Sequence, residues 1–79
     1  MTIEILGTGC SKCKKLYELV QEVIKELGCD ASVIKVEDIQ QIMNRGVMIT
    51  PALVIDGEVK VAGRIPRTNE IKGWIQNSH

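Results

Sequence analysis

The sequence predicts an α/β fold in which a mixed four-stranded sheet carries helices on both faces, in the order β-α-β-α-β-β-α. Three features lead there. A β-rich alternating run is followed by a long amphipathic period, a strong two-residue hairpin signal joins two further β-like runs, and the chain closes on a second helical period. With 79 residues the chain is expected to form one domain over positions 1–79, because a shorter unit could not bury a useful core.

Thr2 to Leu6 (TIEIL) alternates and stops at Gly7 and Gly9, which predicts a strand and then a tight loop. From Cys13 the residues Leu16, Leu19, Val20, Val23, Ile24 and Leu27 recur at helical spacing, and Gly28 stands where a C-terminal cap belongs. Ala31 to Val36 (ASVIKV) reads as a second strand, and the helix before it supplies the right-handed crossover that two parallel strands need. Glu37 and Asp38 open a short helix, with Ile39, Ile42 and Met43 expected to face inward and Gly46 to end it. A loop containing Thr50-Pro51 leads into Ala52 to Ile55 and Glu58 to Ala62, a hairpin turned by Asp56-Gly57. Arg67 to Gln76 is helical, with Ile71, Trp74 and Ile75 on one face and Glu70 in the first turn.

Composition narrows the function. Ten basic and ten acidic residues cancel, which argues against a nucleic-acid protein held by phosphate contacts and against a polybasic membrane-surface protein. The opening residues lack a basic and apolar leader, and no run approaches the roughly 20 apolar residues of a membrane span, so a cytoplasmic location is expected. There is no Phe and only one Trp and one Tyr, so the core must be aliphatic. Three cysteines, of which only Cys10 and Cys13 are close, are not the even disulfide framework of a small secreted scaffold.

The stretch GTGCSKCKK, residues 7 to 15, sits between the first strand and the first helix, at the carboxyl end of the sheet where α/β proteins place their sites. The helix N-terminus and Lys12, Lys14 and Lys15 favour an anion, so the Cys10 thiol is expected to ionise more readily than the usual value of about 8.5. Cys13 is in register with Leu16 and Val20 and is expected to be the more shielded of the pair. That asymmetry suits exchange in which Cys10 attacks a disulfide and Cys13 resolves the mixed disulfide. As a staple the pair would be poor: a four-residue loop gives roughly 2 kcal/mol on the chain-entropy formula, against about 3 for fifteen residues. Cys29 lies sixteen positions beyond Cys13 at the far end of the helix, roughly 24 Å away and outside disulfide reach. It reads as a packed residue. Two thiolates also suit a soft ion such as Cu(I), so the pair alone leaves disulfide exchange and soft-metal transfer open. The lone His79, at the chain end, is not expected to add a ligand.

Three stretches carry a resemblance: GTGCSKC at 7 to 13, TPALVIDGE at 50 to 58 and GRIPRTNEIKGWI at 63 to 75. Together they resemble the thioredoxin fold over essentially the whole chain, and most of all the very small archaeal and bacterial thioredoxin-like proteins called redox-active disulfide proteins. The resemblance implies a thiol-disulfide oxidoreductase with a reversible Cys10–Cys13 disulfide and no other cofactor. It further implies protein disulfide substrates, an upstream disulfide reductase and a monomer.

By position, Pro51 matches the family's cis-proline and Thr50 the residue whose backbone meets an extended substrate segment. Gly63 matches a glycine that lets the partner backbone approach. Glu4, six positions before Cys10, stands where the family carries a carboxylate that helps move the resolving cysteine's proton. Gly9 and Ser11-Lys12 depart from the family's usual Trp and Gly-Pro, at sites that influence potential and partner choice. The chain has AGRIPRTNE where glutaredoxins carry Gly-Gly-Xaa-Asp for glutathione; Arg64 and Arg67 there read as solvated surface. The cysteine loop by itself is also similar to the heavy-metal-associated domain, which ends on a strand and has no Thr-Pro loop, whereas this chain ends on an amphipathic helix.

Overall fold

In a computed structural model, which describes residues 1–7 and 11–77, the elements follow the expected order. They are β1 (Thr2–Leu6), α1 (Ser11–Leu27), β2 (Ser32–Val36), α2 (Ile39–Asn44), β3 (Ala52–Ile55), β4 (Glu58–Ala62) and α3 (Thr68–Gln76). The sheet order is β2-β1-β3-β4, with β1 parallel to β2 and the other two pairs antiparallel. Parallel pairing needs a crossover, and α1 supplies it.

Strands β1 and β3 run through the middle of the sheet; β3 is buried along its whole length, and β1 is buried at Ile3, Ile5 and Leu6. Ile3, Ile5, Leu53 and Ile55 pack with Leu16, Val20 and Val23 of α1 and Ile71 and Ile75 of α3. Leu6, Ala52 and Val54 point the other way, onto Val36, Ile42 and Val47. Trp74, expected on the inward face of α3, is half-buried against the larger cluster.

Local chemistry sets the boundaries. Asp38 caps α2, its side chain accepting from the N–H groups of Gln40 at 2.8 Å and Gln41 at 3.3 Å. The hairpin turns on Asp56 and Gly57, both at positive φ, the backbone that a two-residue turn matched to strand twist demands. The Asp56 carboxylate also accepts from the Thr2 N–H at 2.8 Å, tying the turn to the start of β1.

Helix α1 begins at Ser11, two residues earlier than the apolar spacing marks, because Ser11 and Lys12 form an exposed first turn that periodicity cannot register. Ile39 and Met43 depart from expectation. Only Ile42 of α2 is buried, while Ile39 and Met43 are 63% and 62% exposed. A helix of six residues offers one side to the sheet, and Val47 of the following loop fills the place beside Ile42. Among the described residues no helix is long and apolar enough to cross a membrane.

The entry to α3 is held by one carboxylate. Glu70 accepts two hydrogen bonds from the Arg64 guanidinium, at 3.1 and 2.9 Å, and one from the Arg67 N–H at 3.0 Å. Arg64, expected as solvated surface, is therefore engaged within the chain. The hydrogen bond from Arg64, then that from the Arg67 backbone, hold the Glu70 carboxyl down at about 2, against 4.5 for the free side chain. A carboxyl whose pKa is lowered by folding adds stability that is complete above the unfolded value and is lost as pH falls through the folded one. Urea midpoints measured between pH 5 and 2 should therefore fall, and Glu70→Gln should flatten the part of that fall lying between about 4.5 and 2.

Candidate active site

Of the expected site residues, Cys13, Thr50, Pro51 and Gly63 lie toward the carboxyl end of β1 or in the loops beside it. Past Leu6 the Gly7 N–H still donates to the Val36 carbonyl at 3.0 Å, so the β1–β2 pairing runs one residue beyond the strand. Chain direction then reverses into α1, whose first turn carries Cys13. Cys13 is 7% exposed, in line with buried Leu16 and Val20 as its spacing predicts. Cys10 lies outside the described residues, as do Thr8 and Gly9.

The Cys13 sulfur rests against the backbone of Gly7: a Cβ built at position 7 would overlap it, and would stand 3.9 Å from the Cβ of Thr50. One glycine is thus the meeting point of α1, β1 and the loop before β3. The Thr50–Pro51 peptide bond is cis, and Pro51 is buried. Its carbonyl accepts from the Gly63 N–H at 2.9 Å, and Gly63 holds φ +87 with a side-chain position that Ile49 would obstruct. Cys13, Thr50, Pro51 and Gly63 therefore form one continuous patch.

Two expected residues stand apart from it. Glu4 alternates with Leu6 on the α2 side of β1, whereas Ile3, Ile5 and Gly7 face α1. Its carboxylate is bound by Arg45, the C-cap of α2, at 2.7 Å from Nε and 2.6 Å from Nη2, and is 13% exposed. The hydrogen bond that Arg45 donates to Glu4 raises the Arg45 pKa above its ordinary value. Cys29 is half-buried at the far end of α1, its N–H donating to the Ile24 carbonyl at 3.1 Å. Lys12, Lys14 and Lys15 are exposed around the first turns of α1. Among the described residues no group of three or more His, Cys, Asp or Glu side chains could hold a metal ion.

Sequence reasoning missed Gly7 as the seat of the cysteine; a glycine ending a buried strand just before a helix was the available signal. It missed Arg45 too, which meets Glu4 across 41 positions and leaves no local pattern.

Comparison with known proteins identifies the family. The profile of the thioredoxin domain family matches residues 1–76. The chain belongs to the thioredoxin family. It is 43% identical over 72 residues to a thioredoxin of Methanothermobacter thermautotrophicus, an alignment covering 91% of this chain and 94% of that one. It is 42% identical over 77 residues to a thioredoxin of Methanocaldococcus jannaschii, covering 98% and 88%. Family membership and the four-stranded sheet with helices on both faces bear out the fold expected from the three quoted stretches.

The Gly7 contact is directly testable. Gly7→Ala must displace the sulfur or the strand, and overpacking of this kind costs about 1–3 kcal/mol. Gly73→Ala is the matched control, since nothing lies within 4 Å of its added Cβ and alanine in a helix is favoured by up to about 1 kcal/mol. Urea denaturation should show a lower midpoint for the first variant and an unchanged or higher one for the second.

Proposed function

We propose that this chain, acting as a single domain over residues 1–79, is a thiol-disulfide oxidoreductase that exchanges a Cys10–Cys13 dithiol-disulfide with protein disulfides. The observation that carries this reading is the patch in which buried Cys13 meets Thr50 and cis Pro51 across Gly7, in a chain of the thioredoxin family.

The chemistry divides between the two thiols. Cys10, one position before Ser11 in the sequence, attacks as the thiolate: a bond forms to one substrate sulfur, the substrate S–S bond breaks, and its other half leaves as a thiolate that takes up a proton. Cys13 then gives up its proton and attacks the Cys10 sulfur. The Cys10–Cys13 disulfide forms, the mixed disulfide breaks, and the second substrate thiol is released. Two electrons and two protons pass to the substrate, and an upstream disulfide reductase returns the pair to the dithiol. Burial of Cys13 suits the second role, because a shielded thiol stays protonated until the mixed disulfide is beside it.

The backbone of Thr50, next to cis Pro51, offers a short edge to a substrate segment, and Gly63, hydrogen-bonded to Pro51, leaves room for that segment. The reaction requires no cofactor beyond the cysteine pair, and the reading carries with it a cytoplasmic monomer.

Insulin reduction with dithiothreitol as donor tests the reading. Wild type should accelerate precipitation of the insulin B chain, Cys10→Ser should abolish the acceleration, and Cys13→Ser should accumulate a mixed disulfide on Cys10 that is visible by mass. Equal rates for wild type and both variants would sink the oxidoreductase reading.

A further inference from the structure

We propose that Glu37, at the end of β2, accepts the proton that Cys13 loses when it resolves the mixed disulfide; the inference rests on the exchange reading above. The proton must go to a group on the Cys13 side of the sheet, and the register decides which carboxylate that is. In β2 the residue opposite Ile5 is Lys35, so Lys35 shares the α1 face with Ile5, and its ammonium lies 4.4 Å from the Tyr17 ring centre on α1. Two residues on, Glu37 returns to that same face. The hydrogen bond from Gly7 to Val36 carries the pairing past the strand ends, which sets Glu37 beside Gly7, and Gly7 is the residue against which the Cys13 sulfur rests.

The side chains agree with the backbone. A crevice of about 50 Å³ opens there, lined by Ile5, Gly7, Cys13, Lys14, Lys35 and Glu37. That volume admits one or a few water molecules, and the polar groups around it are the partners such water needs. In the proposed step the proton passes from the thiol to Glu37 through water held in this crevice.

Glu4 is differently placed. It faces the opposite side of β1 from Gly7, and its carboxylate is already occupied by Arg45. Among the described residues, the charged groups facing Cys13 are Lys14 from α1 and Lys35 and Glu37 from β2; the core residues of β1 contribute none. The two lysines offset the negative charge that develops on the sulfur, and Glu37 is the one carboxylate of the three, with oxygen lone pairs that can accept a proton.

The step balances. The Cys13 S–H bond breaks, its proton passes through water to Glu37, and the sulfur electron pair forms the bond to Cys10. The Cys10–substrate sulfur bond breaks in turn, and its electron pair leaves with the substrate thiolate.

The step can be isolated by loading Cys10 with thionitrobenzoate in a full chain carrying Cys29→Ser and following release of the coloured thiolate from pH 5 to 8. Glu37→Gln should release it at least roughly 100-fold more slowly than the parent at pH 6. Its log rate should climb by about one per pH unit, because the thiol must then ionise unaided. Glu37→Asp should recover part of the loss. Glu22→Gln, on the exposed face of α1, should match the parent throughout. Superimposable profiles for the parent and Glu37→Gln, or a loss that appears in Glu4→Gln instead, would overturn the assignment while leaving disulfide exchange intact. Release by the parent no faster than by Cys13→Ser would overturn the exchange reading and the assignment together.

Discussion

The sulfur of Cys13 lies against the backbone of Gly7, and this contact exists only where position 7 has no side chain. Strand β1 brings the glycine there. It pairs with β2 on one side and β3 on the other, so its carboxyl end is fixed by two ladders before the chain turns into α1. Leu16, Val20 and Val23 then draw α1 onto the face formed by Ile3, Ile5, Leu53 and Ile55, which presses the first turn of the helix down on Gly7. The antiparallel pairing of β3 with β1 delivers Thr50 and cis Pro51 to the same point, since β3 begins opposite Leu6. A patch made from three separated segments is thus a consequence of how one central strand is paired.

The two faces of that strand do different work. On the α1 side stand the cysteine, the crevice and the cations Lys14 and Lys35; on the α2 side stand Glu4 and the arginine that binds it. A carboxylate one residue off in register would lie in the wrong layer, because successive residues of the regular β1 ladder face opposite sides of the sheet. The Arg64–Glu70 contact likewise belongs to the architecture: it fixes the approach to α3 directly after Gly63, whose N–H ties this segment to Pro51. Charge in this molecule is spent on local geometry, in keeping with a sequence whose basic and acidic residues balance.

Much of this was legible in advance. Strand β1 and both strands of the hairpin fall on the residues that alternation and Asp56-Gly57 mark, and α1 and α3 follow their apolar periods to within two residues. Those signals are local, and local physics produces them. Ile39 and Met43 misled because three apolar residues in a helix of six residues cannot say which side is covered; that depends on Val47, which arrives from a loop. The partner of Glu4 was illegible for the opposite reason, since Arg45 is brought in by tertiary packing across 41 positions, and that of Glu70 depends on how the loop before α3 folds back over six positions. The spacing that recommended Glu4 places a carboxylate on β1 and says nothing of which layer it enters. Glu37 carries no motif, and only the parallel register of β2 with β1 sets it beside Gly7.

The central claim is that Cys10 and Cys13 form one reversible two-electron couple. Its most direct test is equilibration of the full chain with dithiothreitol redox buffers of graded potential, followed by acid quench, alkylation of remaining thiols and mass analysis of the peptides. The account predicts a single transition with a two-electron slope, in which Cys10 and Cys13 lose their labels together while Cys29 stays labelled at every potential. Labelling of all three cysteines across the whole range, or a disulfide that involves Cys29, would contradict it.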